Sequence, residues 1–165
     1  MRGVRRLIGY GSGHLSVMAI SEADFPVGVA DLFDVIVDPE TYPRWLIGTR
    51  RIRAVSEDWP SPQSSFKHSV GFGLLVIADV STLRAIQPPV MMELLVRARP
   101  VLEAVVRFEL APASAGCRLT MRETPVGVCR VFAAVAQPFI QARNEASLHR
   151  LRAVVEPDQP YPLSG

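Results

Sequence analysis

Residues 101 to 123 read VLEAVVRFELAPASAGCRLTMRE and alternate apolar and polar side chains on both sides of a turn that contains glycine. A period of two is the pattern of strands that bury one face. The turn at 111–116 is short enough to join the two runs as a hairpin. The inner face of the predicted hairpin carries Leu102, Ala104, Val106, Phe108, Leu110, Cys117, Leu119, Met121 and Glu123.

Four further runs ahead of this hairpin are predicted as strands. They cover residues 51–56, 65–70, 74–86 and 90–98, and short turns with proline or glycine separate them. Strands that follow one another through short turns pair antiparallel. The third run needs a bend or bulge, because its apolar parity slips near Asp79. These runs and the hairpin predict an antiparallel meander of about six strands.

Helical spacing occurs on both sides of the meander. Residues 25–45, FPVGVADLFDVIVDPETYPRW, place apolar residues three and four apart and proline at helix starts, which predicts two short helices in series. Residues 128–156 predict a long closing helix, which Pro138 is expected either to kink or to restart. An antiparallel sheet with one apolar face needs a cover, and only the closing helix is long enough to provide it.

The composition favours one domain without a membrane span. The chain has 165 residues, 48% of them hydrophobic, and no apolar run reaches the ~18 residues that a bilayer requires. Residues 1–13 contain three arginines and four glycines and are interpreted as a flexible basic arm. Residues 157–165 hold three prolines and are interpreted as a loose tail. The folded domain is therefore expected within residues 14–156.

Charge and cysteine content argue against several classes of partner. Without the three arginines of residues 1–13, the remaining 15 basic side chains face 16 acidic ones, so no nucleic-acid partner is expected. Cys117 and Cys129 form no CxxC motif, and the three histidines lack metal-ligand spacing. We therefore expect no metal and no cofactor, and free thiols in a cytoplasmic location.

Four segments together resemble a known superfamily. They are residues 31–45, the crossing AIQPPVMMELLV at 85–96, the hairpin at 106–123 and the closing PFIQARNEASLHRLRAVVE at 138–156. In this order they resemble the START-related SRPBCC superfamily, in particular its bacterial polyketide cyclase/dehydrase-like members, over about residues 15–155. The resemblance implies an α+β helix-grip fold. In that fold, a strongly bent antiparallel sheet of about seven strands surrounds a long C-terminal helix, with two short helices after the first strand.

The resemblance also implies a hydrophobic cavity between the sheet and the closing helix. Relatives use it to bind lipids, polyketides or other apolar molecules, and some are cyclases or dehydratases, but the superfamily shares no catalytic motif. Three hypotheses follow. The protein is a carrier of a hydrophobic small molecule, a cyclase or dehydratase, or a protein-interaction module with a collapsed pocket. The oligomeric state stays open, with a homodimer among the options.

Three polar residues are candidates for catalysis. His68 lies on the inner parity of its strand, where a neutral imidazole could serve as acid or base. Glu123 ends an inward series, where burial could raise its pKa, and Asp79 could pair with His68 if it faces inward. Each also has a structural alternative: a histidine satisfied by a neighbour, or a carboxylate paired with an arginine.

The remaining candidates form the expected cavity wall. Asn144 falls inside the apolar stripe of the closing helix, where a buried amide needs partners, and Arg143 is adjacent. A ligand or a protein group could supply the partner of each. The full predicted ligand-binding set is Phe33, Tyr42, Trp45, Phe66, Met92, Leu94, Val106, Phe108, Leu119, Met121, Val135, Phe139, Arg143 and Asn144.

Overall fold

The computed structural model describes residues 5–7, 18–72, 75–98, 102–126 and 133–156. These residues form eight strands, three α-helices and one 3₁₀ turn. The strands are β1 (Arg5–Leu7), β2 (Ala19–Phe25), β3 (Thr49–Val55), β4 (Ser65–Phe72), β5 (Leu75–Gln87), β6 (Met91–Ala98), β7 (Leu102–Ala113) and β8 (Gly116–Pro125). The helices are α1 (Val29–Val37), α2 (Tyr42–Trp45) and α3 (Ala133–Val155), and the 3₁₀ turn is Pro39–Thr41.

The strands form one antiparallel sheet in the order β1-β2-β8-β7-β6-β5-β4-β3. Strands β3 to β8 are the predicted meander, and β2 crosses back to pair with β8. The helix α3 packs against β2 and α2, so the curled sheet grips it as the fold prediction requires. The predicted α+β helix-grip fold, with two short helices after the first long strand, is confirmed.

The short strand β1 differs from the expectation for the N-terminal segment. Residues 5–7 lie within the stretch interpreted as a flexible arm, yet they pair with residues 20–22 of β2. Without β1, one edge of β2 would have unpaired N–H and C=O groups, and a short added strand satisfies part of that edge. The rest of the predicted arm, and the predicted tail at 157–165, lie outside the described residues.

The helical block between β2 and β3 forms for the reasons read in its sequence. Glycine 28 precedes α1, and the Asp31 carboxylate accepts a hydrogen bond from its N–H at 3.3 Å. The Asp38 side chain accepts from the N–H of Glu40 at 3.0 Å, and proline begins the next turn. Leu32, Phe33 and Ile36 are buried on the stripe that faces the core. The block therefore packs against the sheet, with α1 on β7 and β8 and α2 on β3.

The inner face of the sheet follows the predicted alternation on β6, β7 and β8. On β5, however, the register shift lies between Leu83 and Ala85, not near Asp79. Because the strand is regular at Asp79, this residue shares one face with Ser81 and Leu83, and all three are buried. The predicted parity slip was placed too early in the strand.

The described part of α3 is continuous through Pro138, so the alternative of a restarted helix is wrong. This proline is the sixth residue of the described helix, where few intrahelical hydrogen bonds precede it. The buried face of α3 carries Asn144, Ser147, Leu148 and Leu151. The predicted start near Val128 lies outside the described residues. Within the described residues, no helix has the length and apolar character needed to cross a membrane.

The outer face of the sheet is covered by paired charges. Arg107 and Arg122 both donate to Glu109 at 2.9 Å, and Arg97 donates to Glu103 at 2.8 Å. These side chains are roughly one quarter to two fifths exposed, so each pair contributes about 0–1 kcal/mol. The charged residues of the meander thus form a solvated surface, and the inner face is left for a core and a cavity.

Candidate functional site

A cavity of about 50 Å³ lies between the inner face of the sheet and α3. Strands β4 to β8 contribute to its wall, together with α2, α3 and the segment 46–49, whose last residue begins β3. Most of the wall is apolar. The lining residues are Tyr42, Leu46, Ile47, Gly48, Thr49, Phe66, His68, Val70, Ser81, Leu94, Val96, Val106, Phe108, Met121, Glu123 and Arg143.

Aromatic side chains narrow the cavity at its base. The rings of Tyr42 and Phe66 meet edge to face at 5.4 Å, and Tyr42 meets Trp45 in the same way at 5.3 Å. The Tyr42 hydroxyl donates to the carbonyl of Ile36 at 2.8 Å, so it is already satisfied. Burial raises the pKa of Tyr42 well above its ordinary value, with the Asp38 charge contributing. Tyr42 is therefore an uncharged part of the wall.

His68 and Ser81 form the first polar group of the wall, on neighbouring strands β4 and β5. The Nε2 atom of His68 lies 2.8 Å from the hydroxyl of Ser81. The imidazole is 3% exposed, and its Nδ1 atom is buried without a hydrogen-bond partner. Burial lowers the pKa of His68, and the nearby Asp79 charge and an interaction with the residue's own backbone oppose this shift only in part. His68 is therefore a neutral imidazole with one unsatisfied nitrogen.

Asp79 lies directly opposite His68 in the β4–β5 register and is 6% exposed. It faces inward, on the same face as Ser81, which settles the orientation that the sequence left open. Its carboxylate accepts from the N–H of Val80 at 2.8 Å. Asp79 does not belong to the cavity wall. It acts on the site through its charge, which favours the protonated form of His68.

Glu123, Arg143 and Asn144 form the second polar group, where β8 meets α3. The Glu123 carboxylate is 1% exposed and accepts from Arg143 Nη2 and, at 3.1 Å, from Asn144 Nδ2. The Asn144 oxygen in turn accepts from Arg143 Nη2 at 3.0 Å and Nε at 3.3 Å. The three side chains close a network in which a buried carboxylate has a charged and a neutral donor.

The segment 46–49 connects α2 to β3 and forms one side of the wall. The hydroxyl of Ser147 accepts from the N–H of Ile47 at 3.0 Å and donates to the carbonyl of Arg143 at 2.8 Å. Gly48 has φ of +102°, a conformation that disfavours other residues. The segment is thus fixed to α3 beside Arg143 by one side-chain bridge.

The structure divides the predicted site residues into four groups. On the wall lie His68, Glu123, Tyr42, Phe66, Leu94, Val106, Phe108, Met121 and Arg143. Buried but outside the wall are Asp79, Phe33, Trp45, Met92, Leu119 and Asn144. Phe139 is 77% exposed and does not contact the cavity. The side chain of Val135 lies outside the described part of the chain.

The placement of Phe139 corrects the predicted stripe of the closing helix. Leu148 is buried, and Phe139 precedes it by two and a half turns at about 3.6 residues per turn. Two residues at that separation lie on opposite faces. The helix cannot direct both toward the sheet, and Leu148 has the inward position.

Sequence reasoning missed Ser81, Ser147 and the segment 46–49. Ser81 is recognisable only if Asp79, Ser81 and Leu83 are read as one alternating face, and the misplaced parity slip hid this pattern. Ser147 and the segment 46–49 meet through a contact of residues 100 positions apart, for which the sequence has no signal. The described residues contain no group of three or more His, Cys, Asp or Glu side chains placed to hold a metal ion.

The order of elements and the position of the cavity agree with a match to a protein-family model. Residues 19–156 match the family described as polyketide cyclase/dehydrase and lipid transport. The chain belongs to this family. The match covers all elements from β2 to α3, and it confirms the resemblance to the SRPBCC superfamily. A search of curated proteins gives no match to the chain.

Solved structures resemble this family member in fold at low sequence identity. A protein from Rhodobacter sphaeroides superposes with a TM-score of 0.72 at 16% identity, over 94% of this chain and 99% of that one. Ara h 8.0201 gives 0.67 at 16%, over 86% and 98%. StfQ, a di-domain ARO/CYC from the steffimycin biosynthetic pathway, gives 0.66 at 12%, over 85% of this chain and 50% of that chain. At these identities the likeness establishes the fold and no more.

Proposed function

We propose that this protein binds a hydrophobic small molecule in the cavity and acts as its carrier, with residues 14–156 as the binding unit. The observation that carries the proposal is the nature of the wall. It is mostly apolar, and it includes an imidazole nitrogen, Nδ1 of His68, that is buried and has no partner in the protein. A buried unsatisfied polar atom costs free energy. A ligand with a hydroxyl or carbonyl group would remove that cost.

The state of the acidic residues favours carriage over chemistry. Two donors already bind the Glu123 carboxylate, and Asp79 lies outside the wall with a backbone donor. A carboxylate that is already engaged by a guanidinium and an amide of the protein is less available to a ligand. The cavity therefore has few groups free to exchange protons, and those that it has suit recognition.

The ligand-bound form must be wider than the form described here. Sites for drug-sized ligands have volumes of about 300–1,000 Å³, and a cavity of about 150 Å³ takes benzene. The present cavity of about 50 Å³ is smaller than either. We expect the segment 46–49 to move away from α3 on binding, because one bridge from Ile47 to Ser147 holds it there, while the hydrogen bond from the N–H of Gly71 to the carbonyl of Gly48 keeps it joined to β4.

A compact neutral aromatic compound, 2-naphthol, tests the proposal. Native mass spectrometry of freshly purified protein shows any co-purified ligand, and isothermal titration with 2-naphthol measures binding. Val106→Phe fills the cavity from β7 and should abolish binding. Val105→Phe makes the same change on the opposite face of the same strand and should leave binding intact.

Three outcomes separate the hypotheses. Binding that is lost in Val106→Phe and kept in Val105→Phe supports a ligand cavity. Binding that survives both substitutions places the ligand elsewhere and contradicts the proposal. A bare mass together with no binding of 2-naphthol contradicts it as well, and favours an interaction module with a collapsed pocket.

A second candidate function, a cyclase or dehydratase, is favoured by one observation. His68 is a neutral imidazole in an apolar cavity, which is the protonation state that a general base requires. In this alternative His68 removes the proton next to a ligand carbonyl and returns it to the β-hydroxyl, which leaves as water while the carbon–carbon double bond forms, with Asp79 influencing the basicity of His68.

Dehydration of aromatic β-hydroxy ketones tests the alternative, because the enone product has a distinct absorbance. If the protein is an enzyme, His68→Gln should abolish turnover and leave ligand affinity nearly unchanged. Lys67→Gln, on the exposed face of the same strand, is the control. If the wild type shows no turnover and His68→Gln only loses affinity, the result favours the carrier over the enzyme.

A further inference from the structure

We infer that the cavity selects uncharged ligands, and that Glu123 is the residue that sets this selectivity. The inference rests on the proposed function, since it concerns the chemical class of molecule that the same cavity accepts. Neutral aromatic or polyketide-like molecules with a carbonyl or hydroxyl group belong to that class. Fatty acids and other carboxylates, and cationic amphiphiles, do not.

The charges on the wall cancel. Of the sixteen lining residues, only Glu123 and Arg143 carry a formal charge at neutral pH, because Tyr42 and His68 are uncharged. Arg143 and Glu123 form an ion pair in direct contact. The empty cavity therefore has no net charge for an ionic ligand to neutralise.

The pairing on Glu123 leaves little for an anion to bind. Two of the three nitrogens of the Arg143 guanidinium, Nη2 and Nε, already donate to Glu123 or Asn144. A carboxylate beside Arg143 would make a second anion on one cation, next to a carboxylate that is 1% exposed. An uncompensated buried charge is strongly unfavourable.

A neutral ligand meets no such penalty and has two groups to bind. The Nη1 atom of Arg143 makes no hydrogen bond to any described residue, and a guanidinium carries two N–H donors there. A ligand carbonyl can accept from it without a change in net charge. The Nδ1 atom of His68 can bind a hydroxyl or a carbonyl, according to its tautomer.

Three probes of the same size and shape test the selectivity by isothermal titration at pH 8. They are naphthalene-2-carboxamide, naphthalene-2-carboxylate and 2-naphthylmethylamine, which are neutral, anionic and cationic. The wild type should bind the carboxamide at least about tenfold tighter than either charged probe. General attraction to the positively charged chain would instead favour the anion.

Glu123→Gln tests the assigned residue. It keeps the size of the side chain and an acceptor for Arg143 but removes the negative charge, so the affinity ratio of carboxylate to carboxamide should rise at least about tenfold. Glu109→Gln is the matched control, because it changes the net charge of the chain equally on the outer face of the sheet. In Glu109→Gln, the affinity ratio of carboxylate to carboxamide should stay at its wild-type value.

Equal affinity of the wild type for the three probes, or tighter binding of the carboxylate, overturns the inference and leaves the carrier proposal standing. An unchanged ratio in folded Glu123→Gln also overturns it. If Glu123→Gln does not fold, the comparison of three probes in the wild type still decides. If none of the probes and no 2-naphthol binds, the proposed function is contradicted, and the inference with it.

Discussion

The two polar groups on the cavity wall differ in how fully the protein satisfies them. At the meeting of β8 and α3, Glu123, Arg143 and Asn144 bind one another in a closed network. Across the cavity on β4 and β5, His68 has one partner, Ser81, and one nitrogen with none. The first group links the closing helix to the sheet. The second has an open position that a ligand can fill.

This difference suggests a division of roles in the proposed carrier. Buried charge that is fully paired is costly to disturb, so the network around Glu123 should influence stability strongly. A neutral pair with an unsatisfied atom contributes little to stability. Substitutions on the two sides of the cavity should therefore separate an effect on folding from an effect on binding.

The largest expected effect is at Arg143. Arg143→Met leaves the buried Glu123 carboxylate without its cation, and we expect the free energy of unfolding to fall by about 3 kcal/mol. Arg122→Met removes an exposed pair on the outer face of β8 and should cost less than about 1 kcal/mol. Urea denaturation measures both. Equal losses would contradict the assignment of the network as the structural side of the cavity.

A smaller loss is expected at Asn144. Asn144→Ala removes a donor to Glu123 and an acceptor for Arg143, and should lower the free energy of unfolding by about 2 kcal/mol. His149→Ala, an exposed position on the same helix, should stay within about 0.5 kcal/mol of the wild type. A similar midpoint for both variants would show that Asn144 is not part of a stabilising network.

The opposite side of the cavity should tolerate removal of its polar atoms. The double variant His68→Leu/Ser81→Ala replaces both partners of one hydrogen bond by apolar groups, and should change the free energy of unfolding by less than about 1 kcal/mol. It should weaken binding of 2-naphthol by removing the open nitrogen. A loss of stability as large as that of Arg143→Met would remove the contrast between the two groups.

The smallest expected effect is a dependence of stability on pH. Because burial lowers the pKa of His68 below its ordinary value of about 6.5, the unfolded chain binds more protons in the interval between the two values. The contribution of His68 to stability is complete above the ordinary pKa of about 6.5 and is lost as the pH falls toward the lower folded-state pKa. The urea midpoint of the wild type should therefore fall more than that of His68→Gln between pH 7.5 and pH 5.5. Parallel curves would contradict a neutral buried His68.

The sequence predicts the fold well because the fold depends on repeated local patterns. On β7 and β8, the inward residues from Ala104 to Glu123 alternate without interruption, so their facing follows from parity alone. The two short helices follow from proline and Asp38 at their starts. The prediction was wrong where the pattern is less regular. In the strand of Asp79, the register shift lies several residues later than predicted.

The candidate site was less predictable, since it depends on how α3 docks on the sheet. Glu123, Arg143 and Asn144 were each singled out, but their closed network needs side chains about 20 positions apart to meet. The prediction that Phe139 lies on the cavity wall was wrong, because the apolar stripe of the helix was drawn through residues on both sides of Pro138. Ser81, the partner of His68, was missed because the parity slip was placed too early in β5, which also left the orientation of Asp79 open.

The central claim is that the open nitrogen of His68 faces a ligand in the cavity. Nitrogen-15 NMR of the histidine side chains during a titration with 2-naphthol tests it most directly. The account predicts that the Nδ1 signal of His68 shifts in proportion to ligand occupancy, while the signals of the exposed His149 stay in place. Saturable binding of 2-naphthol with no change in the His68 Nδ1 signal would contradict the account.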